Sequence, residues 1–143
     1  MARRLLIPIA LRRELVEAAR HRCSYCRAPT AAGVPLVIDH IVPLAAGGSN
    51  DYANLCVACY RCNGYKGSRQ TGIDPDTGNQ APLFHPRADR WQAHFSWSID
   101  GLELSGLSPV GRATISLLRL NDEWQLRARQ LWLIAGIHPP LDG

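Results

Sequence analysis

Two C-x2-C pairs, Cys23/Cys26 and Cys59/Cys62, are separated by 32 residues in a chain of 143 residues. Each pair puts two thiolates on one tight turn, and four sulfurs can surround one Zn²⁺ tetrahedrally. Such a closed shell leaves no open coordination position, so the ion it predicts is structural. Any fold must therefore bring residue 23 beside residue 62. The fifth cysteine, Cys56, sits in the apolar run LCVA and reads as a small buried hydrophobe.

The alternative use of paired cysteines is disulfide or redox chemistry. An odd number of cysteines grouped in pairs argues for metal instead. The N-terminal stretch MARRLLIPIALRREL has a positive flank, but no long apolar core and no small-residue cleavage site. It reads as neither a signal peptide nor a membrane span. The expected location is the cytoplasm, where thiols stay reduced.

Charge narrows the partner. The chain carries a formal +4, and Lys66 is its only lysine among 16 basic residues. Arginine makes planar, bidentate contacts to phosphate. A basic, arginine-heavy surface leans towards nucleic acid. Apolar content is ordinary for one globular core with an appendage.

Along the chain, Pro8–His21 reads as a helix, with Leu11, Leu15, Val16 and Ala19 at helical spacing. LVIDHIV reads as a strand ending at Asp39-His40. Gly47 and Gly48 mark a loop, and Cys59–Lys66 a short helix. Residues 67–82 are rich in Gly, Asp, Pro, Thr and Asn and read as a surface linker. HFSWSIDGLELSG predicts a hairpin about Asp100-Gly101. Pro109–Leu120 and Glu123–Gly136 predict two helices, the last presenting Leu126, Leu131, Trp132 and Leu133 on apolar faces.

Between the cysteine pairs lies DHIVPLAAGGSNDYANL, followed by CVACYRCNGYKG. In Asp39-His40, Pro43, Gly47-Gly48, Asn54-Leu55 and Cys59-x2-Cys62-Asn63-x2-Lys66 the chain resembles the HNH endonuclease family. The likeness covers Cys23 to Lys66, about a third of the chain. It implies a zinc-stapled ββα-metal fold in an Asp-His…Asn…Asn variant, with Asn63 where the family's last histidine stands. On this likeness Asp39 and Asn63 are ligands of a divalent cation, His40 is the general base and Asn54 orients the imidazole. APLFHPRADRWQAHFSW resembles an extension found in a branch of bacterial HNH proteins. That branch reads Leu-Phe-Asn-Pro-Arg, and here His85 departs from it.

The chemistry of these residue types agrees. An imidazole accepts a proton from water near neutral pH. Carboxylate and amide oxygens suit a hard cation, Mg²⁺ or Mn²⁺, able to neutralise charge as a phosphodiester breaks. Lys66, Arg61, Arg69 and Arg87 are candidate phosphate contacts.

The expected protein is thus α+β: an HNH core resembling a treble clef with its four-cysteine zinc, plus a C-terminal β-hairpin and two helices packed on it. Residues 1–70 would form the nuclease core and 71–143 the extension. The expected partner is DNA, bound mainly through its backbone phosphates, with no membrane and as a monomer or homodimer. A non-catalytic zinc-stabilised DNA-binding module is the alternative.

Overall fold

The computed structural model describes residues 7–141. Part of the N-terminal reading falls on residues 1–6, which lie outside the described residues. Helix α1 (Ile9–Ala18) follows Pro8 and buries Leu15 completely. It ends where Arg20 and His21 both take left-handed backbone angles. A turn carrying Cys23 and Cys26 follows, tied back by Cys23 N donating to Ala28 O.

Strand β1 (Leu36–His40) pairs antiparallel with β2 (Leu55–Cys59), with Leu36 opposite Cys59, Asp39 opposite Cys56 and His40 opposite Leu55. Every β2 residue is buried, so LCVAC is a continuous apolar run rather than an alternating one. Cys59 then caps α2 (Tyr60–Lys66), its sulfur accepting from the Cys62 amide. The register does the positioning: it sets Cys59 at one end of the pair and Asp39-His40 at the other.

The stretch expected to be a linker is ordered. Strand β3 (Thr71–Ile73) pairs with β4 (Gln80–Pro82). Their connecting turn is held by Asp74, whose carboxylate takes two 2.9 Å bonds from Arg112. Gly- and Asp-rich composition is shared by linkers and turns, and a partner 38 residues away decides between them. Gly72 lies against the Ala113 backbone, where a Cβ would come within 3.3 Å of the carbonyl oxygen.

A single turn, α3 (Trp91–His94), leads into β5 (Phe95–Trp97), which pairs with β6 (Leu104–Gly106). Asp100-Gly101 lies within the wider connection 98–103, closed by Ser98 N donating to Glu103 O. Helix α4 (Pro109–Leu118) is capped by Ser108 and α5 (Glu123–Ile134) by Asp122. The buried face of α5 is not the expected one. Gln125 and Arg129 are buried, while Leu131 is 67% exposed. Arg129 is enclosed because its guanidinium serves the carbonyls of Leu102 and Leu120 and the Asn121 amide oxygen, and lies over the Trp97 ring.

One apolar cluster runs from Leu15, Cys23 and Val57 to Phe84, Trp91, Phe95 and Leu118, so residues on both sides of position 70 share a core. Among the described residues, no helix is long and apolar enough to cross a membrane.

Candidate functional site

The four paired cysteines converge. The sulfurs of Cys23, Cys26, Cys59 and Cys62 all lie within 4.8 Å of one another, all buried, with none in a disulfide. Zn–S bonds of about 2.3 Å in a tetrahedron place sulfurs about 3.8 Å apart. Cys26 and Cys59 stand at 3.7 Å. Protonation tells the same story. Burial pushes the Cys23 thiol up, and the neighbouring thiols push Cys62 up. The same neighbours hold Cys59 far below its ordinary range by donating to its sulfur. The group is a four-thiol metal site suited to structural zinc.

Asp39 is buried at the other end of the β1–β2 pair, and both its oxygens are engaged. Tyr25, from the turn between the first two cysteines, donates its phenol to Oδ2 at 2.7 Å. Lys66, on the inner face of α2, approaches Oδ1 at 3.3 Å and also donates to the His40 carbonyl at 3.1 Å. The Cys56 sulfur lies 3.7 Å from Oδ2. Burial, then the charge of Asp39, pushes the Cys56 thiol up to about 12. It is a neutral, inert neighbour.

His40 Nε2 bonds Asn50 Oδ1 at 2.7 Å. With the amide oxygen as acceptor, Nε2–H is the donor in this bond. Asn54 acts on the loop rather than on the imidazole, contrary to expectation. Its Oδ1 accepts from Val42 N, and its Nδ2 donates to Val42 O and Ser49 O. Its amide has no donor left for the ring. The clamp instead holds the loop that carries Asn50. Gly48 is required there by close approach, since a Cβ would stand 1.8 Å from Val42 O.

Asp39, His40 and Asn63 line one cleft of about 260 Å³, with Pro43, Leu44 and Ser68. Asn63 is partly buried, and its side chain makes no hydrogen bond among the described residues. A carboxylate, an imidazole and a free amide therefore face one open volume.

The candidate phosphate contacts divide. Lys66 is 2% exposed, enclosed by Asp39 and two carbonyls, so it cannot reach a ligand in solution. Arg61 pairs with Asp122. Arg87 donates to Leu55 O and Tyr52 Oη, with its guanidinium over the Tyr52 ring. Lys66 is an internal brace, and Arg61 and Arg87 are part-exposed braces. Arg69 is exposed, with one 3.3 Å bond to Tyr65 O. His94 shares a hydrogen bond with Ser108 at 2.6 Å, and His85 accepts from the amides of Arg87 and Ala88. Neither lines the cleft.

Two residues of this arrangement escape sequence reasoning. Asn50 carries no signal beyond lying in a Gly-rich loop. Tyr25 does carry one: a large polar aromatic between two metal-site cysteines is held in a fixed direction.

No curated protein sequence matches the chain, and no solved structure matches it. Residues 23–69, which contain the four cysteines together with Tyr25, Asp39, His40, Asn50 and Asn63, match the model of the HNH endonuclease family.

Proposed function

We propose that this protein is a metal-dependent DNA endonuclease, with β1, β2 and α2 as a ββα-metal core and the four thiols holding a structural zinc. The observation that carries the reading is the convergence of Asp39, His40 and Asn63 on one cleft within the segment that matches the family.

The donor set fits a hard cation. Asp39 and Asn63 offer oxygen, no thiol lines the cleft, and its open volume leaves room for water ligands. Bound Mg²⁺ or Mn²⁺ would supply positive charge to a non-bridging phosphate oxygen and the departing 3′-oxygen. The chain's own residues do the rest. His40 Nδ1 takes the proton from the attacking water, while Asn50 keeps the other ring nitrogen protonated and the ring in place. Water oxygen bonds to phosphorus as the bond to the 3′-oxygen breaks, and the departing 3′-alkoxide takes a proton from solvent water, leaving a 5′-phosphate and a 3′-hydroxyl. Tyr25 and Lys66 fix the Asp39 carboxylate from behind, and Asn54 fixes the loop.

Nicking of supercoiled plasmid with Mg²⁺ or Mn²⁺ tests the reading. His40→Ala should lower the rate about 10²–10⁴-fold, the usual worth of a general base. A variant that nicks as fast as wild type would remove His40 from the chemistry. DNA retained but uncut in both metals would make the protein a zinc-stabilised binding module.

A further inference from the structure

A second cleft, of about 510 Å³, is lined by Arg69, the residue that follows Ser68 of the first cleft in the chain. Its walls come from the end of α2, the β3–β4 hairpin and the end of α4, through Tyr65, Arg69, Thr71, Gln80, Ser116 and Arg119. No carboxylate lines it. Arg119 is exposed and rests 4.7 Å above the Tyr65 ring centroid. Neither Arg69 nor Arg119 forms an ion pair among the described residues. Other arginines of the chain behave differently: Arg61 holds Asp122, Arg112 holds Asp74 and Asp76, and Arg127 holds Glu123. Two guanidiniums without an ion-pair partner, hydroxyl and amide groups, and one aromatic face thus line this second cleft.

We propose that this second cleft carries the sugar-phosphate backbone of duplex DNA flanking the bond held at Asp39-His40, with Arg69 and Arg119 each neutralising one phosphate. The inference rests on the endonuclease reading for its occupant, but its geometry belongs to the extension. Arg119 is well placed for the task. It closes α4 in a left-handed conformation (φ 52°), and stacking on Tyr65 limits the freedom of its side chain.

Counterion release gives a direct test. For duplex DNA, log K falls with log salt at a slope of about 0.9 per phosphate neutralised. Affinity for a fluorescein-labelled duplex long enough to cover both clefts is measured over a salt series. The full-length, zinc-loaded protein is used without added Mg²⁺ or Mn²⁺. Arg119→Asn is the first variant, because asparagine tolerates the left-handed backbone; Arg69→Gln is the second. Each should reduce the slope by about 0.9, and the pair by about twice that. Arg127→Gln removes the same charge on a solvent-facing, carboxylate-paired site and should leave the slope unchanged.

Unchanged slopes in both cleft variants, or an equal fall in Arg127→Gln, overturn the assignment. The readout also separates the two readings. Slopes that fall in a protein that never nicks support the cleft and remove the nuclease. Unchanged slopes in a protein that nicks remove the cleft alone.

Discussion

The Tyr25 phenol donates to Asp39 Oδ2 at 2.7 Å, and Tyr25 lies one residue before a cysteine of the four-thiol site. The staple and the proposed catalytic carboxylate are therefore one hydrogen bond apart. Groups that hold a ligand's second oxygen commonly set metal affinity within about 10–100-fold. Tyr25→Phe keeps the ring packed edge-on to Phe84 and deletes the hydroxyl that donates to Asp39 and accepts weakly from Cys56. The Mn²⁺ concentration giving half-maximal nicking should rise about tenfold, with zinc content unchanged. An unmoved midpoint would show that Tyr25 only fills space.

Asn50 offers a second handle. It is the partner that fixes the His40 ring, so Asn50→Ala should let the imidazole sample the wrong tautomer and rotamer. The expected loss is about tenfold in the nicking rate at saturating metal, of the size seen when outer partners are removed. The metal midpoint should stay put, because the Asn50 amide acts on the imidazole and not on the Asp39 carboxylate. A shifted midpoint with an intact rate would place Asn50 on the metal side of the site instead.

What could be read from the chain, and what could not, follows the range of each interaction. The cysteine site was legible because two tight turns bring their own geometry. The strand ending at Asp39-His40 was legible because its β-branched run declares it locally. The internal partners of Lys66, Arg61 and Arg87 were not legible, for one shared reason. Their partners, Asp39, Asp122 and Leu55 O, lie 27, 61 and 32 residues away, and how a cation is engaged cannot be seen without them. Lys66 did carry a hint: three residues after Asn63 on a short helix, it shares that residue's inner face. The buried Arg129 also departs from the apolar-face prediction, since three carbonyl-type acceptors, 27, 8 and 9 residues away, outweigh side-chain hydropathy.

The Lys66–Asp39 pair predicts a structural penalty rather than a binding one. Both groups are nearly inaccessible, and removing one partner of a buried pair leaves a charge without compensation. Lys66→Ala should cost about 3–5 kcal/mol, read as a lowered midpoint in urea denaturation. Lys66→Arg should not rescue it, since the Nζ site is closed by Asp39 and two backbone carbonyls. A Lys66→Ala protein of wild-type stability would contradict the buried pair.

Removing zinc should be more severe than any substitution. Structural zinc contributes about 10–16 kcal/mol of apparent free energy in zinc-finger peptides, comparable with the whole stability of a domain, about 5–15 kcal/mol. The four cysteines also belong to the apolar cluster that joins α1, β2 and the C-terminal elements. A strong chelator should therefore abolish the cooperative thermal transition, and added Zn²⁺ should restore it. Mg²⁺ should not, because thiolate ligands select softer ions. A sharp transition that survives quantitative metal removal would mean that apolar packing alone holds the fold.

Acid sensitivity should reside partly in Asp74. Its carboxylate is held at about 2, below the ordinary 3.8, first by the Arg112 hydrogen bonds and then by the Asp76 amide. A depressed folded-state value means that the folded protein binds the proton later than the unfolded chain does. The contribution is therefore complete above about pH 4 and is lost as pH falls towards 2. Asp74→Asn should be less stable at neutral pH, because Arg112 loses its bidentate partner. Its stability should also fall less steeply between about pH 4 and 2. Urea midpoints of both proteins at several pH values make the comparison. The β3–β4 turn should loosen first, visible as faster amide exchange at Gly78, whose N–H donates to Asp74 O. Parallel pH profiles for the two proteins would place the acid-labile group elsewhere.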